Sequence, residues 1–501
     1  MRHTPRVLLF LLSVASLSAG AGEVRLVDAV KAGDAAAIRA LLKQPAQVNA
    51  READGTTALH WAVRANDLTT ARLLLGAGAQ ANASNRYGVT PLWLAATNGN
   101  AAIIDTLLIS GADPNTVMPQ GETVLMTASR TGNPDAVKLL LARGADVDAR
   151  EDRLGETALM WAASENHPEV IELLIEHGAQ PNGRSSMLEY QRDRFGLEGV
   201  LTILPRGSWT PLMYAARQGS VDATRALADA GADLNLTDPE STTALVRAIV
   251  NAHYDVAGVL LEKGADPNIA DPSGMAALYA AVDMNTLGEI YGRPARKSSD
   301  TLSGVDLVRT LLAHGANPNA RLRAPTVQKN HTPGEGTLGD GTTPLMRAAK
   351  HGDYAVMRVL LDRGADATLT QRNGGTALML ASGLGRGQGA FQKDIGTEAD
   401  LFEAVRLCLD RGVDINALND AGQTAMHFAV QTGDTIVKLL AARGARLDVK
   451  DRQGRTPLDV ALGVGGRGRA GGPVVVRDST VALVRQLMNA GTANGNQAPQ
   501  R

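Results

Sequence analysis

One threonine keeps returning along this chain, as Thr57, Thr90, Thr123, Thr157, Thr210, Thr243, Thr343, Thr376, Thr424 and Thr456, with Ala276 in the same place, and most steps are 32 to 34 residues. A period of that size means a small unit that cannot bury its own apolar face and must stack on copies of itself. Arg86 to Asn115 shows the unit most clearly. Thr90 can accept from an unpaired amide at the start of a helix, and Pro91 follows at the first helical position, where a missing N–H costs nothing. Leu92, Ala95 and Ala96 line one face of this helix, and Gly99-Asn100 breaks it. Ile103, Ile104, Leu107 and Leu108 then form the stripe of a second helix, and Gly111 ends it by taking the left-handed conformation.

Each helix spans about 8–10 residues, short of the roughly 12–15 at which an isolated helix is even marginal in water. Stacking must therefore supply the stability. The terminating glycine keeps step with the threonine, lying 21 residues after it in Gly78, Gly111, Gly144, Gly178, Gly231, Gly264 and Gly364, each followed by alanine.

These motifs resemble the ankyrin repeat, whose pattern is T-P-L-H-x-A, a G-N or G-H break, and L-L-x-x-G-A-D-x-N. Thr57-Ala58-Leu59-His60-Trp61-Ala62, Thr210-Pro211-Leu212-Met213-Tyr214-Ala215 and Thr343-Pro344-Leu345-Met346-Arg347-Ala348 carry the first half; Gly144-Ala145-Asp146-Val147-Asp148 and Gly264-Ala265-Asp266-Pro267-Asn268 carry the second. The resemblance implies an all-α solenoid of about twelve helix-turn-helix repeats with loop insertions. The family's histidine survives at His60 and His427, while Met126, Met160, Met213, Met346 and Met379 take its place elsewhere. Thioether packing is expected to replace part of the polar ties between repeats.

Residues 1–21 stand apart. Arg2, His3 and Arg6 precede an apolar run from Val7 to Leu17, and Ala19-Gly20-Ala21 fits a small-x-small cleavage site. The run is short of the about 20 residues of a membrane span, so it reads as a cleavable secretory signal, and the mature chain is expected to have no transmembrane segment. The sole cysteine, Cys408, excludes an intramolecular disulfide. Without Arg2 and Arg6 the chain has 48 Lys and Arg against 52 Asp and Glu, a formal charge of −4, which gives no support to nucleic-acid binding.

The remaining layout follows the spacing. Residues 22–53 form a capping repeat without T-P-L, and 54–183 are regular repeats. An inserted loop occupies 184–207; repeats resume over 208–320 with an internal insert at 285–303. A second loop spans 321–340, and 341–491 are repeats with inserts at 384–398 and 463–478, before a disordered tail at 492–501. Ser303 to Asp306 and Thr397 to Asp400 read as capping boxes that restart a helix after an insert.

No motif announces catalysis. Gly463 to Gly468 matches GxGxxG but follows a helix and lacks a βαβ context, so it reads as a flexible insert. Metal-ligand, Walker A, GxSxG and CxxC spacings are missing from the sequence, and no cofactor, metal or catalytic residue is expected. In the resembled fold, partners meet the concave face and the hairpin finger loops. The residue seven after the threonine reads Arg64, Thr97, Arg130, Ser164, Arg217, Val250, then Lys350 and Gln431. Arg64, Arg130, Arg217 and Lys350 thus suggest a cationic stripe for an acidic protein surface or a polyanionic envelope component, or else ordinary solvated charges. Tyr87, at a finger tip, and Trp209, before Thr210, are candidate aromatic anchors. The expectation is a monomeric, non-enzymatic scaffold for protein partners, periplasmic or secreted. The alternatives are a secreted effector acting on a host protein and an enzyme with a site built from the insertions.

Overall fold

The computed structural model describes residues 25–44, 47–188, 206–286, 300–326, 337–385, 396–465 and 476–495. The expected signal, residues 1–21, and the central parts of all five inserts lie outside them. The chain divides into two units: residues 1–189 with 205–239, and residues 190–204 with 240–501.

Unit 1 carries six helix pairs: α1 (Leu26–Ala32) with α2 (Ala35–Leu41), α3 (Ala58–Arg64) with α4 (Leu68–Gly76), α5 (Pro91–Thr97) with α6 (Ala101–Ile109), α7 (Val124–Thr131) with α8 (Pro134–Ala142), α9 (Ala158–Ser164) with α10 (Pro168–Glu176), and α11 (Pro211–Gln218) with α12 (Val221–Asp229). First helices pack on first helices, from α1 through α3, α5, α7 and α9 to α11, and second helices on second helices from α4 through α6, α8 and α10 to α12. Leu59, Ile103, Leu107, Leu125, Leu140, Ile171 and Leu174 are buried between the two rows. Each fully buried side chain of this size contributes about 1.5–3 kcal/mol.

Unit 2 repeats the plan with α13 (Ala244–Val250) and α14 (Tyr254–Glu262), α15 (Ala277–Thr286) and α16 (Gly304–Ala313), α17 (Pro344–His351) and α18 (Tyr354–Asp362), α19 (Ala377–Ala381) and α20 (Glu398–Asp410), α21 (Ala425–Thr432) and α22 (Asp434–Ala442), and α23 (Pro457–Ala461) and α24 (Asp478–Gly495). The chain that reads as tail from residue 492 is still helical to Gly495. Ser303 with Asp306 and Thr397 with Asp400 form the expected capping boxes. The helices are joined, among the described residues, by one two-stranded ribbon: β1 (Met187–Leu188) pairs antiparallel with β2 (Arg206–Gly207) at the base of the first insert.

The repeating residues act as their chemistry requires. Thr90 Oγ1 accepts from the Trp93 amide at 3.2 Å and caps α5, and Thr343 does the same for Met346 at 3.3 Å in α17. Gly111 has φ +84°, and a Cβ there would meet nothing within 4 Å, so handedness and not space demands glycine. At His60 the ring closes a capping box: Nδ1 accepts from the Thr57 amide at 3.2 Å, and Nε2 lies 3.0 Å from the Val89 carbonyl of the next repeat. Met126 keeps half of that arrangement, its sulfur accepting from the Thr123 amide at 3.4 Å.

A second tie runs along the turns. Asn115 Nδ2 donates to the Gly144 carbonyl at 2.9 Å, and its Oδ1 accepts from the Asp146 amide at 2.8 Å. Asn82 makes the same pair of bonds to Gly111 and Asp113, and in unit 2 Asn319 makes them to Gly364 and Asp366. One side chain thus satisfies a carbonyl at the end of the neighbouring helix and an amide of the next turn.

Candidate partner-binding face

The first-helix row of unit 1 places an aromatic ring four residues after the capping threonine, as Trp61, Trp161 and Tyr214. On the exposed side of an α-helix the residue three further on lies beside the ring. In α3 the Arg64 guanidinium accordingly lies 5.2 Å from the Trp61 ring centroid, and the Lys31 ammonium, from α1, lies 4.4 Å from it. Arg130 on α7 reaches the neighbouring repeat and covers Trp161 at 5.0 Å. Arg217 on α11 covers Trp209 at 5.1 Å, and Trp209 stands edge-on to Tyr214 at 5.4 Å between centroids. All three arginines are exposed, while the rings are half-buried. A cation held over an indole contributes about 0.5–1 kcal/mol at an exposed site.

Carboxylates hold the rings from beneath. Trp61 Nε1 donates to Glu52 at 2.6 Å, and Lys31 also reaches Glu52, at 2.5 Å. Trp161 Nε1 donates to Glu156 at 2.8 Å, and the Tyr214 hydroxyl bonds the same carboxyl. Glu122 accepts from Thr127 Oγ1 at 2.7 Å and lies 3.7 Å from Arg130. Burial pushes the Glu156 carboxyl above its ordinary value, against the pull of its hydrogen bonds to Tyr214 and Trp161. Burial, and then the adjacent Glu156 charge, pushes the Tyr214 phenol up as well.

Three of the four cations of the anticipated stripe, Arg64, Arg130 and Arg217, share this row. Lys350 does not belong to an exposed stripe. It is in unit 2 and only 7% exposed, because α19 is cut to five residues and the chain turning after it brings the Leu384 carbonyl to 3.2 Å from Lys350 Nζ. Trp209 is not a bare anchor either: its amide donates to Ser185 Oγ at 3.0 Å beside the ribbon, and its ring carries Arg217. Tyr87 is 51% exposed at its hairpin tip, with Arg86 over its ring at 4.7 Å. Tyr190 and Phe195, the aromatic residues of the first inserted loop, lie outside the described residues. The sequence reading passed over Trp61 and Trp161, although a tryptophan four residues after the capping threonine was there to be read.

Among the described residues no group of His, Cys, Asp and Glu is placed to hold a metal ion, and no helix is long and apolar enough to cross a membrane. Cys408 is fully buried, which pushes its thiol up to about 12. A thiol so protonated is a poor nucleophile.

Comparison with known proteins agrees with this architecture. The family described as ankyrin repeats (3 copies) matches residues 26–118, 107–185, 196–271 and 397–467, and that described as ankyrin repeats (many copies) matches 330–381. The chain belongs to the ankyrin-repeat family. It is 36% identical over 167 residues to the putative ankyrin repeat protein FPV031 of fowlpox virus, covering 32% of this chain and 40% of that protein. It is 29% identical over 163 residues to the E3 ubiquitin-protein ligase KEG of Arabidopsis thaliana, or 31% of this chain and 8% of that one. It is also 32% identical over 119 residues to the ankyrin repeat and KH domain-containing protein mask of Drosophila melanogaster, or 23% and 3%. The chain thus spans well under two thirds of each relative. Ankyrin repeats are protein-interaction domains, typically non-enzymatic, and membership implies a protein-protein interaction scaffold.

Proposed function

We propose that this scaffold is exported from a bacterial cell and holds a protein partner on the first-helix face of unit 1, in the periplasm or beyond the cell. The observation that carries the binding reading is the row of exposed guanidiniums, Arg64, Arg130 and Arg217, each held over an aromatic ring. An arginine held over a ring loses less freedom on binding than a mobile one. Export rests on Arg2 and Arg6, the run Val7 to Leu17 and Ala19-Gly20-Ala21. A fold stabilised by stacking, with its one cysteine buried, suits an oxidising compartment.

The test of binding compares capture from native envelope extract by residues 22–501 and by a folded variant with Arg64→Glu, Arg130→Glu and Arg217→Glu. A partner retained by the first and lost by the second supports the face; equal capture by both removes it. Export is tested by fractionating cells and sequencing the mature N-terminus. A chain beginning near residue 22 outside the cytoplasm is expected, and an intact N-terminus in the cytoplasm contradicts it.

A further inference from the structure

The residue two places after the turn asparagine, or after Asp148 where aspartate replaces it, reads Arg51, Ser84, Val117, Arg150 and Arg184 through unit 1. Wherever it is arginine it ties its own repeat to the next. Arg51 Nη1 donates to the Ser84 carbonyl at 3.4 Å, Arg150 Nη1 to the Arg184 carbonyl at 2.6 Å, and Arg184 Nη1 to the Thr237 carbonyl at 2.9 Å. Each acceptor belongs to the same position one repeat further on. This ladder fails twice in succession: Ser84 turns its hydroxyl to the Asn85 carbonyl at 3.2 Å, and Val117 has no side-chain donor. The next two carbonyls, those of Val117 and Arg150, accept no hydrogen bond among the described residues.

At this gap the hairpins open into a cleft of about 830 Å³, with Ser84, Asp113, Thr116, Val117, Arg150 and Asp152 among its walls. Val117 is 55% exposed. The ladder faces away from the first-helix face: Glu52 turns to Trp61, and successive side chains of extended backbone point to opposite sides, so Arg51 faces the other way. The charge balance of the cleft favours a cation. The Arg150 guanidinium is engaged by the Arg184 and Gly155 carbonyls. Asp152 extends its carboxylate over Gly121, with Oδ1 2.8 Å from where a Cβ would stand. Asp113 uses one oxygen to accept from the Asn115 amide at 2.9 Å. Neither carboxylate has an ion-pair partner among the described residues.

We propose that this cleft takes an arginine side chain of a partner polypeptide, which supplies from outside the guanidinium that Ser84 and Val117 do not. The carbonyls of Val117 and Arg150 are its acceptors, as their counterparts are for Arg51, Arg150 and Arg184, and Asp113 and Asp152 balance its charge. A guanidinium is a planar fork of five donors suited to several oxygens at once, whereas an ammonium acts as a point charge. The cleft runs across three repeats and is far larger than one guanidinium, so the Ser84 and Thr116 hydroxyls remain for the backbone of the segment that carries it. The site is separate from the first-helix face and does not depend on it.

The test selects peptides on the whole protein from an unbiased display library of 12-residue sequences and measures their binding to Val117→Arg, which provides the missing donor within the chain, and to Asp152→Asn. Both positions are exposed, and each variant is used once its helix content and melting temperature are found to be no lower than the original's. Selected peptides are expected to be enriched in arginine, to bind Val117→Arg at least tenfold more weakly and Asp152→Asn several-fold more weakly, and to weaken with rising salt. They should bind a triple variant with Arg64→Gln, Arg130→Gln and Arg217→Gln as they bind the original; loss of binding there would place them on the first-helix face and overturn the proposal. No arginine enrichment, undiminished binding to Val117→Arg, full affinity after the peptide arginine is replaced by lysine, or no selected peptide would each overturn it too. Free arginine amide binding as tightly as the peptides would assign the cleft to a small molecule and equally remove the polypeptide partner.

Discussion

Units 1 and 2 are built from the same six-pair plan, yet they treat cations on their first helices in opposite ways. In unit 1 Arg64, Arg130 and Arg217 lie outside, over aromatic rings. In unit 2 α17 carries Arg347, Lys350 and His351, which are 1%, 7% and 6% exposed. Arg347 stands four residues after its threonine, where unit 1 has Trp61, Trp161 and Tyr214, and its guanidinium pairs with Asp283 of α15 at 2.6 Å. The repeat position is the same, and its neighbours decide the role. An aromatic platform keeps an arginine at the surface; a lengthened α15 and a shortened α19 fold carboxylate and carbonyl over a cation and make it part of the core.

The largest expected effect breaks that contrast at the buried pair. Asp283→Ala removes one carboxylate from the buried Arg347 guanidinium, and breaking a buried pair of this kind costs about 3–5 kcal/mol. All four tryptophans are in unit 1, so their fluorescence reports that unit alone while circular dichroism reports both. The substitution should move the dichroism transition in urea to lower concentration and leave the fluorescence transition nearly in place. Equal movement of both would mean that the units unfold as one body.

A smaller effect tests what the units share. Asn115→Ala and Asn319→Ala each remove one donor and one acceptor bond between neighbouring repeats, with an expected loss of about 1–2 kcal/mol each. Similar losses in the two units sharpen the comparison by confining the difference to the first-helix face. A markedly larger loss in one unit would place the difference in the framework.

The smallest effect is a pH dependence confined to unit 1. Burial raises the Glu156 carboxyl above its ordinary 4.5, so the fold favours the protonated form. That contribution is fully present below 4.5 and is lost as pH rises through the elevated folded value. Relative to the original, Glu156→Gln should therefore gain urea resistance in the fluorescence transition as pH rises, then hold a constant advantage. A pH-independent difference would contradict the assignment.

Much of this architecture is legible in the residues. The threonine spacing, the glycines at Gly111 and its equivalents, and the boxes at Ser303 and Thr397 act locally, so sequence neighbours suffice to specify them. The asparagine tie was less visible: Asn115 reads as a turn residue, and its partners Gly144 and Asp146 lie 29 and 31 residues away. The site was legible only in part. Arg64 and Trp61 belong to one helix, but Arg130 meets the tryptophan of the next repeat. Lys350 occupies the same repeat position as Arg64, and its burial depends on where α19 stops, which the repeat pattern does not contain.

The central claim is that the exposed first-helix face of unit 1, and not its counterpart in unit 2, holds the partner. The most direct measurement places the photo-crosslinking residue p-benzoylphenylalanine, in separate variants in living cells, at Thr97 and Ser164 between the arginines, and at Gln431, an exposed residue at the same repeat position in unit 2. The account predicts one common crosslinked protein from positions 97 and 164, lost when Arg130→Glu is added, and none from 431. A crosslink from 431 with none from 97 or 164 would contradict it.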